Sequence, residues 1–309
     1  MLEYFFQIFP ILVSLLLDFS LLRLKTKSGL VWLFTAWLAL SISLFFYLTG
    51  GWFISSYYLR YVVLGAGVLS VFISLIRLPG CIWTPVALRS TDKAEVLGNL
   101  VPALIFSYLA VTAWLGGTTP ENGINLQFPL KGRDYLFAQA GASWLTNHHS
   151  NAGSQKYAQD IIQLNSWGRS ASGFDPTALE EYVIYGQPVY SPCDGIVSVV
   201  LDGFEDIPPG GTPSDEENPA GNHIYIQCEA QDAYVLLAHM KQGTITPSAG
   251  SRIKTGEMVG QVGNSGNTTE PYLHIHARRG GNLDDVIAGT GIPILYDEVF
   301  FCRNDLLSN

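Results

Sequence analysis

The sequence predicts a multi-pass α-helical membrane region of four spans followed by a mainly β domain, a sheet or barrel of short strands. Three observations predict this. Four long apolar stretches occupy the first third of the 309-residue chain, and short β-rich runs bounded by Gly, Pro and Asn occupy the last third. The charge also changes sign between the two: seven Lys and Arg face four Asp and Glu up to residue 117, but ten face 22 from residue 118 onward. A domain with that acidic excess repels phosphate backbones, so nucleic acid is not an expected partner. The expected division is a transmembrane region over 1–117, a linker and entry segment over 118–147 and a β domain over 148–309. The 192 residues after 117 are enough to bury an independent core.

The spans come first. Residues 4–22, 31–49, about 57–76 and about 97–115 are each long enough to cross a hydrocarbon core of about 30 Å. The first lacks a basic start and three more follow it, which argues against a cleavable signal peptide. Arg23, Lys25 and Lys27 fall between the first two spans, and Arg77, Arg89 and Lys93 between the third and fourth. Only Arg60 lies near the second connection. These basic loops read as cytoplasmic, which puts both termini and the β domain on the outer side of a cell (inner) membrane, periplasmic or extracellular. Asp18 is the one acid within the spans. Five residues from Arg23, it is expected to be a snorkelling or locally paired acid and not a transport site. The spans read as an anchor or as a packing surface for partner membrane proteins.

The linker region carries PENG turn chemistry and a basic KGR patch. From Val183 to His276 the runs VVY, IVSVV, HIYI, YVLLAHM, MVGQV and LHIHA read as strands. Between Leu201 and Asn222, DGFEDIPPGGTPSDEENPAG is too polar and turn-rich to be core and reads as a long surface loop. On the last strand, side chains at i, i+2 and i+4 share a face, so Tyr272, His274 and His276 present a phenol and two imidazoles together. Two histidines at that spacing suit a metal but equally suit a polar sheet face, and spacing alone favours the latter.

The run from Tyr185 to Ala277 resembles the M23 family of zinc metallopeptidases, of the LytM or lysostaphin type. The pieces that carry the resemblance are collinear: GQPVYSPCDGIVSVV, PAGNHIYIQC, VLLAHM, and GSRIKTGEMVGQVGNSGNTTEP ahead of YLHIH, with KYAQDI upstream. The resemblance implies an antiparallel sheet of the lipoyl-like, duplicated hybrid type and a zinc ion as cofactor. Its implied activity is hydrolysis of peptide bonds in cell-wall peptidoglycan, with the wall peptide as substrate and the lipid bilayer or wall enzymes as further partners.

Carried over residue by residue, the resemblance puts Asp160 and His274 at metal-ligand positions and His239 at a catalytic one. Two positions depart from the pattern. Lys156 stands where a histidine ligand is expected, and a protonated lysine cannot ligate zinc. Tyr272 stands where a second catalytic imidazole is expected, and a phenol is a poor base at neutral pH. The missing ligand is expected from His148 or His149 in the preceding NHHS turn. His276, one pleat repeat from His274, is the alternative to Tyr272 for the lost imidazole. Zinc would then hold Asp160, His274 and one of the NHH histidines, leaving a fourth position for water.

Among the cysteines, Cys193, Cys228 and Cys302 lie in the exported part and Cys81 on the cytoplasmic side. The first two fall on neighbouring strands of the resemblance and are the expected disulfide. Three function classes follow: a membrane-anchored zinc endopeptidase, a catalytically inactive LytM-like module that binds wall or regulates another hydrolase, and a lipoyl-like hairpin module suggested by GSRIKTGEMVGQVG. No carrier-like lysine sits at that hairpin's tip, and the histidines would have no role in it.

Overall fold

A computed structural model describes residues 2–78, 80, 83, 89–173, 176–210 and 218–308. Cys81 and the stretch 211–217 of the long loop therefore lie outside the described residues. The chain divides into two compact units, Met1–Trp114 and Leu115–Asn309.

The first unit consists of helices α1 (Leu2–Arg23), α2 (Gly29–Thr49), α3 (Leu59–Ile76) and α4 (Ser90–Leu115). Among the described residues, α2, α3 and α4 are long and apolar enough to cross a membrane. Ser28 caps α2 by accepting a hydrogen bond from the Val31 amide. Leu38, Ile42 and Ala103 form one packed layer, and Leu21, Trp32 and Ala36 another. Indole donors cross between helices, from Trp32 to Ser74 and from Trp37 to Ser107, both at 2.9 Å. The outward faces keep Phe72, Leu104, Tyr108 and Trp114 exposed.

Asp18 corrects the sequence expectation. It does not pair with Arg23, whose guanidinium lies over the Phe19 ring at 4.7 Å. Residues five apart on a helix point to different sides, so Asp18 turns inward, is buried, and accepts a hydrogen bond from Ser70 of α3 at 3.0 Å.

The second unit is mainly β. Its strands are β1 (Ile124–Asn125), β2 (Tyr135–Gln139), β3 (Gln159–Gln163), β4 (Pro188–Tyr190), β5 (Gly195–Leu201), β6 (Asn222–Cys228) and β7 (Ala233–Met240). They continue with β8 (Arg252–Ile253), β9 (Met258–Gln261), β10 (Leu273–Arg279), β11 (Thr290–Ile292), β12 (Ile294–Tyr296), β13 (Val299–Phe300) and β14 (Leu306–Leu307). The principal sheet runs in the order β14-β2-β3-β10-β7-β6-β5-β8, with β11 also on β10. Every pairing is antiparallel except that of β1 with β12.

The core lies on one face of this sheet. Ile161 of β3, Leu237 of β7 and Leu273, Ile275 and Ala277 of β10 all enter it. Full burial of each of the larger side chains is worth about 1.5–3 kcal/mol. Because β10 alternates strictly here, Tyr272, His274 and His276 fall on the other face.

The segment 118–147 is more than a linker. It supplies β1, β2 and the buried Leu126, Leu130, Tyr135 and Phe137. The sequence hid this strand because YLFAQ is buried on both faces and so shows no alternation. Cys193 and Cys228 are joined in a disulfide that ties the turn before β5 to the end of β6. Cys302 is free.

Candidate metal centre and its cavity

The centre is assembled from a short turn and three strands. The turn His148–Asn151 is 3-10 helical, and the fully buried Asn147 caps it. The Asn147 Oδ1 accepts from the His149 amide at 3.0 Å, while Nδ2 donates to the carbonyls of Gly141 and Ala158, each at 3.0 Å. One side chain therefore fixes the histidine turn against the start of β3, which carries Asp160. The sequence reading did not single out Asn147, although Asn before a helical turn is a recognisable capping signal.

Asp160 and His274 are directly opposed across the β3–β10 ladder. The His274 Nδ1 stands 2.8 Å from Asp160 Oδ1, and the His149 Nε2 stands 3.0 Å from Asp160 Oδ2. Both imidazoles thus stand at hydrogen-bond length from the one carboxylate. His148 stacks on His149 with ring centroids 3.8 Å apart, and its nitrogen comes within 4.8 Å of the His149 and Asp160 donors. His148, His149 and Asp160 therefore form one group of mutually close ligand atoms, and His274 reaches Asp160 from the strand opposite. Lys156 is exposed, and its ammonium lies 5.2 Å from the Tyr157 ring centroid. Two imidazole nitrogens and a carboxylate are a donor set suited to zinc.

His239 reaches this face through a bulge. On β7, Val235 and Leu237 point into the core, while Leu236 and Ala238 point to the opposite face. Strict alternation would send residue 239 into the core. Instead, two steps on β6, from Asn222 to Ile224, oppose three on β7, from Met240 to Leu237. His239 takes a left-handed φ of 59° there. The phase is reversed, so Met240 fills the core and His239 lines the cavity. The His239 Nδ1 donates to the Ser265 carbonyl at 2.9 Å, which leaves Nε2 as the acceptor of the Tyr272 hydroxyl at 3.0 Å.

The imidazoles and the phenol, but not the buried Asp160, line a cavity of 270 Å³ whose walls include His148, His149, Gln155, His239, Tyr272 and His274. Gln155 also went unremarked in the sequence reading; it hydrogen-bonds His149. His276 is not among the lining groups. It is fully buried one pleat further along β10, beside Leu236 of β7 and the Tyr225 ring. The expectation that it could replace the missing imidazole in the cavity is therefore corrected: the step along the strand carries it under cover. The polar loop after Leu201 approaches the site at its start, where Ile207 exchanges hydrogen bonds with Asn264 and Gly210 donates to the Thr269 carbonyl. At its far end Pro219 and Ala220 line the cavity.

Burial sets much of the electrostatics. It pushes His239 down to about 3, with the charge of His274 adding to the effect. His148 is pushed down to about 4 by burial and by its neighbour His149. Burial alone would raise the Asp160 carboxyl, yet the His149 charge and the hydrogen bonds from His149 and His274 hold it well below the usual carboxylate range. For His149, burial opposes protonation, but the charge and hydrogen bond of Asp160 prevail and raise it. Burial, followed by the Asp160 charge, raises Tyr272 well above an ordinary phenol, so it stays a hydroxyl donor.

Residues 181–286 match the family model described as Peptidase family M23, and the chain carries such a domain. That match holds His239, Tyr272, His274 and His276, while His148, His149 and Asp160 lie upstream of it. Among solved structures, lysostaphin in solution is similar at 16% identity, with 43% of this chain and 40% of that chain covered and a TM-score of 0.28. A zinc-containing peptidase from Vibrio cholerae is similar at 18% identity, with 50% and 37% covered and a TM-score of 0.27. A mutant catalytic domain of the prophage-encoded M23 protein EnpA from Enterococcus faecalis is similar at 18% identity, with 58% and 94% covered and a TM-score of 0.28. The chain thus spans less than half the length of the first two.

Proposed function

We propose that the Peptidase family M23 domain of this chain is the working part of a membrane-anchored zinc endopeptidase that hydrolyses peptide bonds of cell-wall peptidoglycan. The observation that carries this reading is that His149 and His274 each stand 2.8 to 3.2 Å from the Asp160 carboxylate, and that both line a cavity with His239 and Tyr272. His149, Asp160 and His274 would hold the metal, with His148 the alternative imidazole. A zinc ion held there supplies a Lewis acid that makes water nucleophilic near neutral pH and polarises a peptide carbonyl. Once the Tyr272 hydroxyl turns from it to the substrate, the His239 Nε2 lone pair would take a proton from the attacking water and return it to the departing amine. Tyr272 donates its hydroxyl to the oxygen on which negative charge develops.

The four helices anchor the domain in a cell membrane, with the basic loops on the cytoplasmic side and the domain on the outer side where wall lies. The sheet is read as the duplicated lipoyl-like type. The described start and end of the loop after Leu201, through Ile207, Gly210, Pro219 and Ala220, are read as bordering the substrate groove, and membrane proteins or wall enzymes are the suggested partners.

The test is mass spectrometry of peptidoglycan incubated with the zinc-loaded protein, beside an Asp160→Ala control. New stem-peptide fragments from the parent alone support the reading. The second reading is a module that binds wall or regulates another hydrolase without cleaving. It is favoured by Tyr272, which stands where the resemblance puts an imidazole and whose hydroxyl occupies the His239 Nε2 lone pair. Wall binding without any fragment would select it.

A further inference from the structure

The face of β10 that carries His274 continues inward through His276 and Arg278. The His274 Nε2 and His276 Nδ1 stand 3.0 Å apart, with ring planes at 79° and both residues buried. The His274 Nδ1 is turned the other way, onto Asp160. The remaining nitrogen of His276, Nε2, is buried with no hydrogen-bond partner among the described residues.

A neutral imidazole has one N–H and one lone pair, so the two contacts of His274 are coupled. When Asp160 is the acceptor, the His274 proton sits on Nδ1 and His276 must donate from its own Nδ1 to the His274 Nε2. When the His274 Nδ1 lone pair is given to a metal, the His274 proton moves to Nε2 and His276 must accept at Nδ1, with its own proton on Nε2. A carboxylate at this place could only accept, and an ammonium could only donate. An imidazole can do both.

We propose that His276 is the positioning residue of this centre, serving His274 as hydrogen-bond donor while Asp160 holds the Nδ1 proton and as acceptor once Nδ1 ligates a metal. This rests on the reading of Asp160 and His274 as metal donors. Arg278 secures the column from behind. Its two terminal nitrogens donate to the carbonyls of Asp285, Ala288 and Asn282 and its guanidinium lies 4.6 Å over the Tyr225 ring, while its Nε is buried with no hydrogen-bond partner among the described residues.

The chain has six histidines, which makes full-length protein labelled with 15N only at histidine tractable by NMR in detergent. In chelator-stripped protein His274 and His276 are both expected to carry their proton on Nδ1, and in zinc-loaded protein both on Nε2. His276→Leu removes both roles and is expected to weaken zinc binding, measured by chelator competition, by about 10–100-fold. His276→Asn, whose amide can donate or accept near the same place, is expected to bind zinc within about threefold of the parent. The same His276 tautomer with and without zinc, or parental affinity in folded His276→Leu, would overturn the proposal while leaving the metal centre standing. Should His276→Leu not fold, a loss beyond about tenfold in His276→Asn overturns it instead. If the parent takes up no zinc, the metal reading itself fails. The stripped-protein spectrum then decides the hydrogen bond, and a His276 ring without its Nδ1 proton sinks the proposal independently.

Discussion

His239 and Tyr272, 33 residues apart on separate segments, meet through one hydrogen bond of 3.0 Å between the imidazole Nε2 and the phenol. Neither residue touches Asp160 in the way His149 and His274 do, so the pair divides from the metal donors by function. Tyr272→Phe is accordingly expected to keep zinc at parental affinity and to lower peptide cleavage by about 10²–10³-fold, the loss typical of removing one oxyanion donor. Zinc stoichiometry and the rate of fragment release, measured on the same preparation, check this. Equal losses of zinc and activity would contradict it.

The left-handed φ of 59° at His239 makes a second prediction. Asn tolerates that conformation and β-branched residues do not. His239→Asn is therefore expected to unfold at nearly the parental denaturant midpoint, whereas His239→Val should lose about 1–3 kcal/mol of stability. Both variants should lack cleavage activity. Equal stability of the two would show that the bulge relaxes when its histidine is replaced.

Zinc binding should depend on pH with a definite sign. The His149 proton, stabilised by the Asp160 charge and hydrogen bond, must leave before its Nε2 can ligate. Below the raised value of His149, affinity should therefore climb by about tenfold per pH unit and flatten above it. His148, pushed down to about 4, is already neutral over that window and contributes no slope. Calorimetry in buffers of different ionisation enthalpy would count the released proton. His149→Ala should abolish high-affinity zinc binding; if His148→Ala does so instead, the ligand assignment moves to His148.

The disulfide closes a loop with a sequence separation of 35. In the chain-entropy account, opening a loop of that size costs about 4 kcal/mol. Replacing Cys193 and Cys228 together by Ser should lower the stability of the β unit by roughly that amount. Reductant should have the same effect on the parent and little on the double variant. Chemical denaturation with and without reductant reads both.

Much of this molecule is legible in its residues. The long apolar runs dictate helices because a bilayer core leaves backbone groups no other partners. Period-two alternation at LHIHA placed Tyr272, His274 and His276 on one face because a strand has no other geometry. Asp160, His274 and one of His148 and His149 are legible as candidate metal donors through the family resemblance. What the residues alone could not decide depended on how the strands are registered against each other. The opposition of Asp160 to His274 is a pairing across 114 residues of chain. The inward turn of His239 needs a bulge that no local pattern announces, and β2 had no alternation to betray it. His276 went under cover because residues from β6 and β7 close over that stretch of β10. Local side-chain patterns determine which element forms and which face is polar. Long-range packing alone decides which polar groups face the cavity and which are sealed behind it.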